Sequence, residues 1–221
     1  MKLGYFVTGT DTGVGKTLIA GALLYRLARQ GYSTVGMKPV AAGCDEVPGG
    51  MINEDVESLR RAGTMATEPT EICPYLLPAP IAPHIAAAET DVRIELATIM
   101  ARFRALAMRV DAVVVEGVGG FRVPLNQRHD TADLAALLGL PLILVVGMRL
   151  GCLNHALLTA EVIQSRGLRL AGWVANQIDP KMLRLEQNVA ALAERLPCPL
   201  IVSLPFLDAP DARRIESQLD L

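Results

Sequence analysis

Short apolar runs alternate with amphipathic ones along most of the chain. Residues 4–8, 34–39, 111–116, 142–146, 170–176 and Leu200–Leu204 are brief, aliphatic and often β-branched, which predicts strands buried on both faces. Between the first two of these, Ile19, Ala22, Leu23 and Leu27 recur at helical spacing from Lys16 onward, and Gly31 is placed to end that helix. Helices are also expected over residues 92–108, 130–138, 153–165 and 181–196, with a short surface helix within 208–221. Strand followed by helix, repeated, is the pattern of βα units, so the expected fold is α/β, a mainly parallel sheet with helices on both faces. Two stretches break the rhythm: the glycine-rich residues 41–53 and the proline-rich residues 69–83, both read as functional loops.

The first strand runs into Gly9-Thr10-Asp11-Thr12-Gly13-Val14-Gly15-Lys16-Thr17 and then directly into a helix. Glycines let consecutive backbone N–H groups turn inward on phosphate oxygens, and the helix N-terminus that follows favours negative charge. Strand, loop, Gly-Lys-Thr and helix together make a phosphate-binding P-loop, in a variant spacing with Thr10 where glycine is usual and Gly9 one residue earlier. Lys16 is expected on the β- and γ-phosphates and the Thr17 hydroxyl on magnesium.

A carboxylate at the end of a buried strand near a P-loop reaches the metal, which makes Glu116 a candidate ligand, and the turn Gly117-Val118-Gly119-Gly120 follows it immediately. Asp55 stands at the start of a helical stretch. It reads either as a second ligand or as an acid complementing the helix dipole. Lys38, at the end of the second strand, occupies the edge where open α/β sheets bind ligands, and it also reads as a solvated strand end.

Composition narrows the choice. The chain has 221 residues, of which 51% are hydrophobic and only 4% aromatic, so a single domain over residues 1–221 with an aliphatic core is expected. A formal net charge of −2 gives no broad attraction for nucleic acid or anionic lipid. No apolar run approaches the roughly 20 residues needed to span a bilayer, and no secretion signal is legible at residues 1–8. The four scattered cysteines form no CxxC pair and signal neither zinc nor a disulfide framework, so a reducing cytoplasm is the expected compartment. His84, His129 and His155 do not cluster, and His84 is read as ordering a loop.

Taken together the motifs resemble the dethiobiotin synthetase family. The matching elements are Thr8-Gly9-Thr10-Asp11-Thr12, Val14-Gly15-Lys16-Thr17, Lys38-Pro39-Val40, Asn53-Glu54-Asp55, Pro83-His84, Val115-Glu116-Gly117, Gly119-Gly120, Gly151-Cys152-Leu153-Asn154-His155 and Trp173-Val174-Ala175-Asn176, in the family's order. The resemblance implies an ATP- and Mg2+-dependent carboxylation and ring closure of 7,8-diaminononanoate with CO2, through a carbamate and a carbamic-phosphoric anhydride. It implies that Thr17, Asp55 and Glu116 hold the metal, and that Lys16, Lys38 and Thr12 serve catalysis. Nucleotide contacts are implied for Gly13, Val14, Gly15, Lys16, Thr17, Leu18, Gly117, Val118 and Gly119. Asn176 with Gln177 would recognise adenine, and Pro205, Phe206 and Leu207 would pack on the purine. Substrate contacts are implied for Thr12, Lys38, Ala42 and the segment Gly151, Cys152 and Asn154, the last supplied by the other subunit of a homodimer with shared active sites.

Three positions depart from the family's pattern: Gly13 for glutamate, Ala42 for serine and Gln177 for aspartate. Losing the hydroxyl at position 42 costs about 1 kcal/mol of substrate binding where no water replaces it. Two other classes fit a P-loop α/β chain. A switch ATPase of the chromosome- or septum-positioning type usually carries a second lysine early in the loop, where Thr10, Asp11 and Thr12 stand. An ATP-dependent amidase-synthase relative needs a glutaminase domain that this length does not accommodate.

Overall fold

The computed structural model describes residues 1–219. In chain order its elements are β1 (Leu3–Gly9), α1 (Lys16–Arg29), β2 (Thr34–Met37), β3 (Val40–Ala42), β4 (Asp45–Val47), β5 (Gly50–Ile52) and α2 (Glu54–Ala62). Then come α3 (Pro69–Ile72), β6 (Tyr75–Leu77), α4 (Pro83–Glu89), α5 (Leu96–Ala107), β7 (Ala112–Glu116), α6 (Thr131–Leu138) and β8 (Leu142–Met148). The last five are α7 (Cys152–Ser165), β9 (Leu170–Gln177), α8 (Leu185–Ala193), β10 (Leu200–Leu204) and α9 (Ala212–Ile215).

The six long strands form one sheet in the order β10-β9-β8-β1-β7-β2, and every pairing in it is parallel. Along β8 every residue is buried, because the alternating side chains enter two cores. Ile143 and Val145 pack with α1 residues Ile19 and Leu23, whereas Leu144, Val146 and Met148 pack with Ala156 and Ala160 of α7. Helices therefore cover both faces, as the patterning requires.

A parallel sheet places the C-terminal ends of all its strands along one edge. The chain winds from β1 to β2 on one side and from β8 to β10 on the other, so a crevice opens at the end of β1. The segments that follow β1, β2, β7, β8, β9 and β10 all emerge there.

The helix expected over residues 92–108 begins only at Leu96. Residues 91–95 are spent on a turn with Asp91 at φ 53°, and the Tyr75 hydroxyl accepts from the Glu95 N–H at 2.8 Å in place of a helical bond. The helix expected over 181–196 is shortened to α8. Asp179 caps the Lys181 N–H in a turn, and Arg184 is left-handed at φ 58° just before the helix. The stretch 41–53 is not a plain loop: it holds the end of β3 and the β4–β5 hairpin, whose turn uses Gly49 at φ 102° and Gly50 at φ 144°. The stretch 69–83 contains α3 and β6, with β6 pairing in parallel with β3. His84 sits in the first turn of α4 rather than in a loop. Of the helix expected within 208–221, residues 212–218 form α9 and a short 3-10 turn, while Asp220 and Leu221 lie outside the described residues.

Candidate active site

The P-loop crosses from β1 to α1 over the middle of the sheet edge. Gly13 and Gly15 have φ of 72° and 96°, a region that favours glycine. A Cβ on Gly15 would lie 2.3 Å from Asn176 Nδ2, so the end of β9 packs directly against this loop. Lys16 is buried and donates to the Asp11 carbonyl at 2.8 Å. Burial, and then the neighbouring Lys38 ammonium, bring its pKa down to about 8.

Thr17, Lys38, Asp55 and Glu116 converge beneath the loop. The Thr17 hydroxyl lies 2.7 Å from Asp55 Oδ1 and 2.9 Å from Glu116 Oε1. Lys38 Nζ donates to Asp55 Oδ2 at 2.8 Å and to Glu116 Oε1 at 2.5 Å. Asp55 reaches the cluster because Asn53 caps α2, its side chain accepting from the N–H groups of Asp55 and Val56 at 3.1 and 3.3 Å. Burial opposes the charge on Lys38, but Glu116 and Asp55 outweigh it and hold the ammonium above its ordinary pKa. Burial pushes the Glu116 carboxyl up, with Lys38 pulling against it. Asp55 is held below the carboxylate range because Lys38 and the Thr17 hydroxyl overcome the cost of its burial.

One oxygen of this cluster has no partner. Glu116 Oε2 is buried and accepts no hydrogen bond. Two carboxylates, one of them with an unsatisfied buried oxygen, and a hydroxyl suit a hard cation with oxygen ligands, and their number suits magnesium, which keeps waters and substrate phosphates in its remaining positions. Among the described residues no group of three or more His, Cys, Asp or Glu forms a self-sufficient metal cage.

The cluster lies in a cleft of about 860 Å³. The lining combines the polar side chains Asp11, Thr12, Lys16, Lys38, Asp55 and Glu116 with apolar ones, among them Ala41, Ala42, Ile81, Pro83, Val118 and Val123. A second recess of about 190 Å³ continues from the P-loop along Gly13, Gly15 and Leu18 to Asn176, Gln177, Phe206 and Leu207. Pro210, which the sequence did not single out, lines both this recess and the cleft.

Not every expected residue faces these spaces. Val14 is buried, and its carbonyl accepts from Asn176 Nδ2 at 2.9 Å. Gly117 faces inward, its N–H donating to the Val7 carbonyl at 2.9 Å, so the cleft wall starts at Val118. Pro205 ends β10 outside the recess, which is walled by Phe206 and Leu207. Gly151, Cys152 and Asn154 do not line the cleft of their own chain: Cys152 is buried in the second core and Asn154 is exposed. Sequence reasoning missed Arg149, which pairs with Asp11 Oδ2 at 2.5 Å. The available signal was its position one residue past β8, on the ligand-binding edge.

The histidines take no part in the cleft lining, and the four cysteines are free thiols. Among the described residues no helix is long and apolar enough to cross a membrane.

The model of the family described as "AAA domain" matches residues 3–214. The "ATP-dependent dethiobiotin synthetase BioD" of Aromatoleum aromaticum is 53% identical over 98% of this chain and 96% of its own length. The protein of the same name from Ralstonia nicotianae is 53% identical over 100% of this chain and 96% of its own. Solved structures similar to this one include the septum site-determining protein MinD of Pyrococcus horikoshii, with TM-score 0.58 and 18% identity over 93% of this chain and 82% of that one. A ParA family ATPase from Chlorobium tepidum gives TM-score 0.55 and 12% identity over 94% and 86% of the two chains. At such identity these two share the fold alone.

Proposed function

From the premise that this chain belongs to the dethiobiotin synthetase family, ATP-dependent ligases that form C–N bonds, we propose that it joins CO2 to 7,8-diaminononanoate and closes the cyclic urea of dethiobiotin. The observation that carries the proposal is the meeting of a P-loop lysine, a second buried lysine and a carboxylate pair in a cleft whose lining also includes apolar side chains. The apolar lining suits the aliphatic chain of the substrate, and the charged cluster suits its amines and the phosphates.

One amine takes up CO2 as a carbamate, losing a proton. A carbamate oxygen attacks the γ-phosphorus of ATP, ADP leaves, and the second amine attacks the carbonyl carbon of the mixed anhydride and expels phosphate. The attack brings two anions together, so the residues must supply compensating charge in place beforehand. Lys16 serves the β- and γ-phosphates from inside the loop. Lys38 Nζ, fixed between Asp55 and Glu116, serves the carbamate and the phosphoryl group in transfer, with Thr12 beside the amines. Thr17, Asp55 and Glu116 would hold Mg2+, which when bound neutralises charge on the phosphate oxygens. Asn176 and the Phe206–Leu207 wall would receive the adenine.

A second copy of the chain is part of the proposal. Gly151 and Asn154 lie outside their own cleft, at the exposed start of α7 beside Leu150, which is 97% exposed. Backbone N–H groups at a helix start suit the distant substrate carboxylate of a partner's site.

Labelling tests the order of bonds. With 18O-bicarbonate, MgATP and the diamine, one labelled oxygen should appear in the released phosphate, because carbamate oxygen becomes phosphate oxygen. Unlabelled phosphate alongside cyclic urea would exclude attack by the carbamate.

A further inference from the structure

The recess beyond the P-loop ends on two neighbouring amides, Asn176 and Gln177, whose surroundings differ. Asn176 is 7% exposed and gives one N–H to the Val14 carbonyl at 2.9 Å. No protein donor among the described residues reaches its Oδ1, which is left to accept from whatever enters the recess. Gln177 has no such freedom: its Oε1 accepts from the Phe206 N–H at 3.2 Å, and its Nε2 donates to the Asp179 carbonyl at 3.1 Å.

The sequence explains why Gln177 is used this way. The ladder between β9 and β10 closes at Leu204 opposite Asn176. The next residue, Pro205, has no N–H to continue it. Phe206 therefore carries the first free backbone donor after β10, and the Gln177 side chain captures it. At the other end Asp179 is itself fixed, its carboxylate accepting from the Lys181 N–H at 2.9 Å. Gln177 thus ties two loops together, and one of them carries Phe206, a recess wall that is 39% exposed.

We infer that Gln177 is a positioning residue that fastens the Phe206–Leu207 wall, and that Asn176 alone reads the base edge. This deepens the nucleotide reading above and rests on it. The consequence is a specificity rule. A lone carbonyl oxygen at Asn176 accepts from an exocyclic amine such as that of adenine. No carboxylate lines the recess, so guanine's adjacent N1–H and N2–H groups find no two-oxygen acceptor.

Calorimetric titration with MgADP and MgIDP separates the two roles, since the inosine base lacks the exocyclic amine. Wild type should prefer ADP. Gln177→Ala should weaken ADP and IDP by the same factor, about 5- to 10-fold for a lost backbone hydrogen bond. Asn176→Ala should erase the ratio. A shift in the ratio in Gln177→Ala would make Gln177 a base reader and overturn the inference, as would wild-type affinity in that variant. A preference for ADP surviving in Asn176→Ala would place the base elsewhere and also overturn it. Failure of wild type to bind MgADP would instead bring down the nucleotide reading beneath it.

Discussion

Lys38 is held by charge from two directions, with Asp55 at 2.8 Å and Glu116 at 2.5 Å from Nζ. In the ligand-free chain its ammonium offsets two carboxylates, one of them fully buried. Removing it leaves Glu116 buried and unpaired, which is costly unless the acid protonates or another cation takes the place of the ammonium. Lys38→Met should therefore lose stability mainly in chelator and regain it with millimolar Mg2+, as thermal unfolding in the two buffers will record. Its turnover with Mg2+ should fall about 100-fold, because charge aimed at the transition state is gone. Wild-type turnover would remove Lys38 from the mechanism. At this scale Lys16, Thr17 and Glu116 were legible, because loop spacing and a strand-end acid carry their own meaning. Asp55 and Lys38 each kept two readings from spacing alone, and the family resemblance gave them functional roles; the fold brings their side chains within 3 Å of one another. Arg149 was not legible, since its importance comes from Asp11, 138 residues earlier in the chain.

At the scale of elements, the placement of a ligand depends on caps and turns more than on the ligand itself. α2 begins where Asn53 takes the first N–H groups, and Asp55 is its second residue. Asn53→Ala should cost about 1 kcal/mol of stability and shift the aim of Asp55. The expected result is a higher Mg2+ requirement for turnover, with Asn53→Asp restoring it; a magnesium titration of the two variants checks this. An unchanged requirement in Asn53→Ala would show that Asp55 is placed by Lys38 and Thr17 alone. The six strands of the main sheet and α1 were readable from the chain because short aliphatic runs mark the strands and apolar residues at helical spacing mark the helix. β3, β6 and the β4–β5 hairpin were not: each has only three residues, and each pairs outside the main sheet. The starts of α5 and α8 were misplaced because Asp91 and Arg184 turn left-handed, a local event that apolar periodicity does not report.

Across the whole molecule, parallel topology is what assembles the site. Residues from 11 to 210 line two connected spaces only because every strand of the large sheet ends on the same edge. The similarity to MinD and ParA ATPases follows from that shared architecture, whereas the relatives at 52–53% identity place the chain in its family. The position of Gly151 and Asn154 outside their own cleft predicts a dimer, with a sedimentation mass near twice the 23.7 kDa of one chain. Leu150→Arg should shift that mass toward the monomer and raise KM for the diamine more than for ATP. A monomeric wild type at full activity would exclude shared sites. The central claim is reached most directly by measuring phosphate release from MgATP with and without 7,8-diaminononanoate and bicarbonate, while detecting the cyclic urea by mass. The account predicts release that depends on the diamine, with one urea formed per phosphate. Release that ignores the diamine, with no urea, would contradict it.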